Sequence, residues 1–317
     1  MKFADPKNDI AFKKIFGDEK HKEVLISFLN ATLGFKKDKI IVSVELVNPY
    51  QVPKIEGLKE TILDIKAINQ SDEHFIIEMQ NNDQGNFAKR SLYYTSKAYV
   101  EQIESGEEYH KLQKVYFIGL LNFDIFESNS YISRHLILNQ ETQQQDIADF
   151  EFAFVELPKF KKELSELITI IDKWIYFIKH ASSLKIVPKE LSEHPEIEQA
   201  FSSAQMYNWS KKEMEVYDYM ALRRGAELDA LRTASERSLQ QGREEGREEG
   251  LEQEKKLLYR QINKRFGENI QHLARLKIEK IYSPKSLETI GDWIIDCKTG
   301  EEFMNNLSLL IDDKRSV

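Results

Sequence analysis

The chain has 317 residues, 41% of them hydrophobic and 31% charged, with a formal net charge of −8. That is enough apolar material for two or three globular domains and too much for a disordered chain. A single cysteine, Cys297, excludes a disulfide framework and a cysteine zinc site, and the acidic total speaks against a dedicated nucleic-acid coat protein. No apolar run approaches the roughly 18 residues of a membrane span, and the polar opening lacks a signal-peptide core, so a cytoplasmic setting without membrane contact is expected.

Residues 1–40 hold nine lysines against six acids, so positive charge gathers at the front of an acidic chain. Such a patch suits phosphates, and it equally suits a solvated helix face. Within it Phe12, Ile15 and Phe16 recur at helical spacing, with Asp5-Pro6 or Asn8 as the cap and Gly17 as the stop. A second helix is predicted over 21–33, with Val24, Leu25, Phe28, Leu29 and Leu33 on one face and Gly34 at its end. Residues 40–47 are β-branched and predict a strand. Residues 48–53 carry two prolines and predict a loop barred from regular pairing.

Two short apolar strands come next, 61–68 and 75–80, joined by a polar turn. Each contains one acid where an apolar residue belongs: Asp64 between Leu63 and Ile65, and Glu78 between Ile77 and Met79. An unpaired charge in a buried strand costs several kcal/mol, so each acid is expected to have a partner, and a divalent cation is a common one. Gln80 lies two residues beyond Glu78, hence on the same face of its strand. Taken alone, a D…E-x-Q triple is a weak signal. Asp64 also has Lys66 and Lys89 as candidates for a plain salt bridge.

A turn at 81–85 leads to a helix predicted over 86–105, with Ala88, Leu92, Thr95, Ala98, Tyr99 and Ile103 as its buried stripe. Residues 115–123 form an apolar run suited to a central strand. Helices flanking a mixed sheet make this an α/β domain. Further strands are predicted over 131–138 and 150–157, and helix from about Lys161 onward, punctuated by Pro188 and Pro195. From Lys211 a long helix begins. Inside it Gly242, Gly246 and Gly250 recur every four residues; the stripe lets helices approach closely, or the segment is a flexible charged linker. Apolar residues from Leu257 to Ile294 suggest a small helical bundle. Three regions are expected: 1–160, a helical extension over 161–235, and a self-associating unit over 236–317.

Several ordered stretches resemble one family. They are Asp5-Pro6-Lys7-Asn8-Asp9-Ile10-Ala11-Phe12-Lys13-Lys14-Ile15-Phe16-Gly17, Thr61-Ile62-Leu63-Asp64, Ile76-Ile77-Glu78-Met79-Gln80, Phe87-Ala88-Lys89-Arg90-Ser91-Leu92-Tyr93-Tyr94, and Gly106-Glu107-Glu108-Tyr109-His110-Lys111-Leu112. Together with the glycine repeat they resemble the Rpn family of recombination-promoting nucleases, transposase-like members of the PD-(D/E)XK nuclease superfamily. The resemblance implies a restriction-endonuclease-like core, a mixed sheet flanked by helices, followed by a mostly helical C-terminal region.

It also implies a Mg²⁺- or Mn²⁺-dependent endonuclease acting on DNA, tied to recombination, mobile elements or phage defence. Asp64 and Glu78 would hold the metal. Gln80 would fill the slot of the superfamily's lysine, without its charge. Asp9 would be a third acid, although its place at a helix N-terminus also explains it. Lys13, Arg90 and Tyr94 would contact phosphate or support the site; Lys13 also fits a surface charge, and Arg90 and Tyr94, four residues apart on one helix, also fit simple packing. The superfamily's proline before the first acid is replaced by Leu63. The alternative is a DNA-binding or protein-interaction module that kept the fold and lost cleavage. A homodimer through the C-terminal helices is expected. The seven histidines show no ligand spacing, and Cys297 is expected to be a buried small residue.

Overall fold

A computed structural model of the protein describes residues 2–51, 61–83 and 85–312. Val52 and Pro53 of the expected loop, and Gln84 of the expected turn, lie outside the described residues. The chain opens with α1 (Asp9–Phe16) and α2 (Lys22–Leu33), followed by β1 (Val44–Val47), β2 (Tyr50–Gln51), β3 (Thr61–Ile62), β4 (Ile65–Asn69) and β5 (His74–Gln80). Then come α3 (Phe87–Val100), β6 (Val115–Leu121), β7 (Ile132–Leu136) and β8 (Phe150–Glu156). The helices α4 (Ile170–His180), α5 (Lys189–Ser192), α6 (Pro195–Ala204), α7 (Lys211–Phe266), α8 (Glu268–Ile278), α9 (Pro284–Asp296) and α10 (Gly300–Asp312) complete it.

Six strands form one mixed sheet in the order β1-β4-β5-β6-β8-β7. β1, β4 and β5 run antiparallel, β5, β6 and β8 run parallel, and β7 returns antiparallel at the edge. The parallel β5–β6 step needs a crossover, which α3 supplies. Because side chains alternate along a strand, β5 feeds two cores. Phe75, Ile77 and Met79 join Phe12, Phe16, Phe28 and Trp174 on one face. Ile76 joins Phe87, Ala98, Phe117, Phe152 and Phe154 on the other. The second face is the one that α3 covers, and Glu78 and Gln80 share its register.

Contacts divide the described chain into two compact units, 1–224 and 225–317. Residues 170–209 belong to the first: Trp174, Phe177, Phe201 and Trp209 are buried in the same core as α1 and α2. The second unit has its own core of Leu258, Ile262, Ile278, Leu287, Ile290 and Phe303, with Cys297 buried beside them. The repeat 242–250 is helical and exposed, and a Cβ added to any of its three glycines meets nothing within 4 Å.

Several sequence-based boundaries shift for physical reasons. The strand expected over 40–47 is a strand only from Val44. Before it, Asn30 brackets Ile41 with two side-chain bonds of 2.9 Å each, and Gln70 takes the Val42 N–H at 3.2 Å, replacing a ladder. The proline-rich loop nevertheless contains β2, which pairs with β3 in a separate two-stranded sheet whose ladder residues are not prolines. Helix does not begin at Lys161. Thr169 and Asp172 form a capping box that starts α4 at Ile170. The stripe predicted for α3 is rotated: Phe87, Ser91, Thr95 and Ala98 are buried, whereas Leu92 is 54% exposed.

Asp172 has no exposed surface. Burial pushes its carboxyl up, but the Lys162 ammonium at 2.7 Å, the Thr169 hydroxyl and amide, and the Tyr131 hydroxyl at 2.8 Å outweigh burial and hold it at about 2. A folded value below the unfolded one means stability that is full above about pH 4 and drains as pH falls toward 2. Asp172→Ala should therefore cost about 3 kcal/mol at neutral pH, and its thermal melting should lose the acid-limb slope between those values.

Candidate functional site

The two acids meet at the carboxyl end of β5. The strand expected over 61–68 is interrupted: β3 ends at Ile62, Leu63 and Asp64 leave the ladder in a bend, and β4 starts at Ile65. Ile65 pairs with Ile77, so the residue before it lies beside Glu78 without a ladder partner. Side chains replace the missing main-chain bonds. The Asp64 N–H donates to Glu78 Oε1 at 3.1 Å, and the Met79 N–H donates to Asp64 Oδ2 at 2.8 Å. The Glu78 carboxylate thus holds the Asp64 backbone and the Asp64 carboxylate holds the Met79 backbone, which is why the chain tolerates two acids among apolar neighbours.

Gln80 extends the line. Its Nε2 donates to Glu78 Oε2 at 3.1 Å, and its Oε1 accepts from Arg90 Nη2 at 3.2 Å. An acceptor on one side and a cation on the other define which way this amide points. Arg90 lies over the Phe87 and Tyr94 rings, 5.3 and 5.9 Å from their centroids. Gly119 makes this packing feasible. It stands opposite Glu78 in the β5–β6 register, and a Cβ there would come within 3.0 Å of the Phe87 and Phe154 rings. Neither Phe87 nor Gly119 was expected in the site. A glycine inside the apolar run Val-Tyr-Phe-Ile-Gly-Leu-Leu was the available signal.

From the other side α1 contributes Lys13. Ala11, Phe12, Ile15 and Phe16 bury one face of α1, and Asn8 caps it by accepting from the Ile10 N–H at 3.0 Å. That anchoring brings Lys13 Nζ to 3.8 Å from Asp64 Oδ1, which is charge contact beyond hydrogen-bond length. Asp9 occupies the first turn and is exposed, yet its charge is felt at Asp64. Lys66, one alternative partner for Asp64, is instead paired with Glu101 at 3.2 Å.

Both carboxyls hold their protons more tightly than usual. Burial raises Asp64, with Asp9 adding to the rise, against the Met79 amide and the Lys13 charge. Glu78 is 3% exposed, and burial, then the charge of Asp64, raises it further against its bonds from the Asp64 amide and Gln80 and the charge of Arg90. Lys13 and Arg90 do not offset burial at this pair, and a further cation would relieve both strains. Among the described residues no group of three or more His, Cys, Asp or Glu converges as a metal cage. Zinc and calcium cages therefore fit poorly. Mg²⁺ fits better, because it is commonly held by one or two carboxylates while waters and substrate phosphates fill its other positions. Asp64 Oδ1, engaged only by charge, is the oxygen best placed to turn to it.

The sequence-predicted residues Asp64, Glu78, Gln80, Arg90, Tyr94 and Lys13 are therefore linked by contacts, and Asp9 stands at their rim. No described helix is long and apolar enough to cross a membrane. Neither the curated proteins nor the solved structures hold a match to the chain. The family model described as PD-(D/E)XK nuclease family transposase matches residues 6–230, a span that includes α1, both acids and α3. The chain belongs to that family of PD-(D/E)XK nuclease transposases.

Proposed function

We propose that the protein is a Mg²⁺-dependent DNA endonuclease, acting in recombination, mobile-element movement or defence against phage. The single observation that carries the reading is the adjoining pair Asp64–Glu78, whose carboxylates take the Met79 and Asp64 amides and whose proton affinities are raised by burial and repulsion, inside a family of nucleases. Asp64 and Glu78 would hold the ion. When bound there, Mg²⁺ supplies Lewis acidity to the scissile phosphate and to the attacking water. Lys13 and Arg90 flank the acids with positive charge and would orient phosphate oxygens, Arg90 through its planar fork. Gln80 has its amide group on Glu78 and its oxygen on Arg90. It cannot serve as a general base, and its part is to orient Glu78 and hold Arg90 within reach. Tyr94 backs the guanidinium.

Chelation tests this. Supercoiled plasmid should be nicked or linearised with Mg²⁺ present, stay intact in EDTA, and be cut again when Mg²⁺ is restored in excess. Cutting that persists in EDTA would contradict the proposal. One observation favours a second reading, a DNA-binding module without cleavage: Gln80 brings no charge to the slot in which the superfamily carries lysine. In that case Mn²⁺ titration should give no binding that depends on Glu78.

We also propose that two copies pair through the glycine stripe of α7, since a helix face without Cβ atoms at 242, 246 and 250 admits a second backbone closely. Gly246→Leu should shift the light-scattering mass toward a monomer while leaving the helix intact, because leucine is the better helix former. An unchanged mass would contradict the pairing.

A further inference from the structure

The helix α3 carries basic residues and no acid. Its 14 residues include Lys89, Arg90 and Lys97, within a protein of net charge −8. Residues 89, 92, 93, 96 and 100 fall on one side at helical spacing, opposite the buried Phe87, Ser91, Thr95 and Ala98. On that side Leu92, Tyr93 and Val100 are 54%, 44% and 67% exposed, and Lys89 is exposed as well. An exposed aromatic ring one helical turn from an exposed ammonium gives a base a stacking surface and its phosphate a counter-charge.

The face is continuous with the acid pair. The Tyr93 ring meets the Tyr94 ring edge-on at 6.3 Å, Tyr94 lies 5.9 Å from the Arg90 guanidinium, Arg90 donates to Gln80, and Gln80 donates to Glu78. We propose that this outer face of α3, with Tyr93 and Lys89 as its main contacts, is the track along which an unpaired DNA strand reaches the acid pair. The proposal rests on the nuclease reading for its purpose. A duplex keeps its base faces stacked internally and cannot use Tyr93 in this way, so the track distinguishes single strands, flaps and frayed ends from closed duplex.

Binding measured apart from cutting tests it. In the full-length Asp64→Ala protein with EDTA present, fluorescence anisotropy is read on a labelled single-stranded oligonucleotide and on a closed hairpin duplex of the same length. Tyr93→Ala should weaken single-strand binding by roughly 5- to 150-fold, the span of one base stacked on an aromatic ring. Tyr93→Phe should keep it, and the duplex should change far less. Lys89→Ala should reduce the slope of log affinity against log salt by about 0.7, the share of one phosphate on a single strand. Unchanged thermal melting verifies that these surface variants fold. The track is overturned by single-strand affinity indifferent to Tyr93→Ala, by equal losses on both probes, or by no binding to either. The nuclease reading fails on a separate result, an Asp64→Ala protein that still cuts, whichever way the binding falls.

Discussion

Glu78→Gln is expected to yield a protein that melts higher than its parent and cuts no DNA. In the folded protein Glu78 is 3% exposed, and burial and the Asp64 charge both push its proton affinity up. The sign follows from linkage. A carboxyl with a folded value above its unfolded one is best tolerated at low pH, and stability is lost as pH rises past the ordinary glutamate range toward neutral. Gln at 78 removes the charge and keeps the shape. Its oxygen can still accept from the Asp64 N–H, although its NH₂ group then faces the Gln80 Nε2 and Gln80 must turn. The metal-free parent should therefore lose stability between pH 5 and 8 by about 1–3 kcal/mol, whereas Glu78→Gln should lose less, keeping only the share that the raised Asp64 contributes at the lower end of that range. Calorimetric melts across that range provide the check. Cleavage should fall by roughly three orders of magnitude or more. Destabilisation by Glu78→Gln at pH 8 would show that the carboxylate is held by a favourable partner in the metal-free chain.

The second large effect concerns protons released by metal. Ions bind carboxylates, not carboxylic acids. Since burial and mutual repulsion keep at least part of the Asp64–Glu78 pair protonated above the ordinary carboxylate range, binding of Mn²⁺ near neutral pH should expel about one proton per ion from the pair. Affinity should climb about tenfold per pH unit through that interval and level off once both groups are ionised. Titration calorimetry in two buffers of different ionisation heat counts those protons directly. A release near zero at pH 6.5 would mean that the acids are already ionised. Gln80→Ala should lower affinity by about 10- to 100-fold, the usual loss when the group orienting a metal ligand is removed.

The central features of this site are legible in the chain because burial makes acids conspicuous. Asp64 and Glu78 each interrupt a run of apolar residues, and Gln80 follows at the spacing that keeps it on the Glu78 face. The core strands β5 and β6 are equally legible, being continuous runs too apolar to face water. What was hidden depends on contacts between distant residues. The bend at Asp64 arises because its N–H finds the Glu78 side chain instead of a neighbouring strand, which no local propensity encodes. Leu92 fits a buried stripe by spacing alone. It is displaced because α3 is oriented by Phe87, seated in the space left by Gly119. The start of α4 was encoded locally, in Thr169 and Asp172, but the leucines at 164 and 167 suggest an earlier onset that the capping box overrides.

The most direct test is cleavage of supercoiled plasmid in Mg²⁺ by the parent and by Asp64→Ala, purified identically and matched by melting temperature. Asp64 contributes the carboxylate oxygen that lies 3.8 Å from Lys13 Nζ, and its loss should leave the plasmid uncut by a protein that still melts cooperatively. Nicking by Asp64→Ala at the parent's rate would contradict the assignment of the acid pair as the cutting centre.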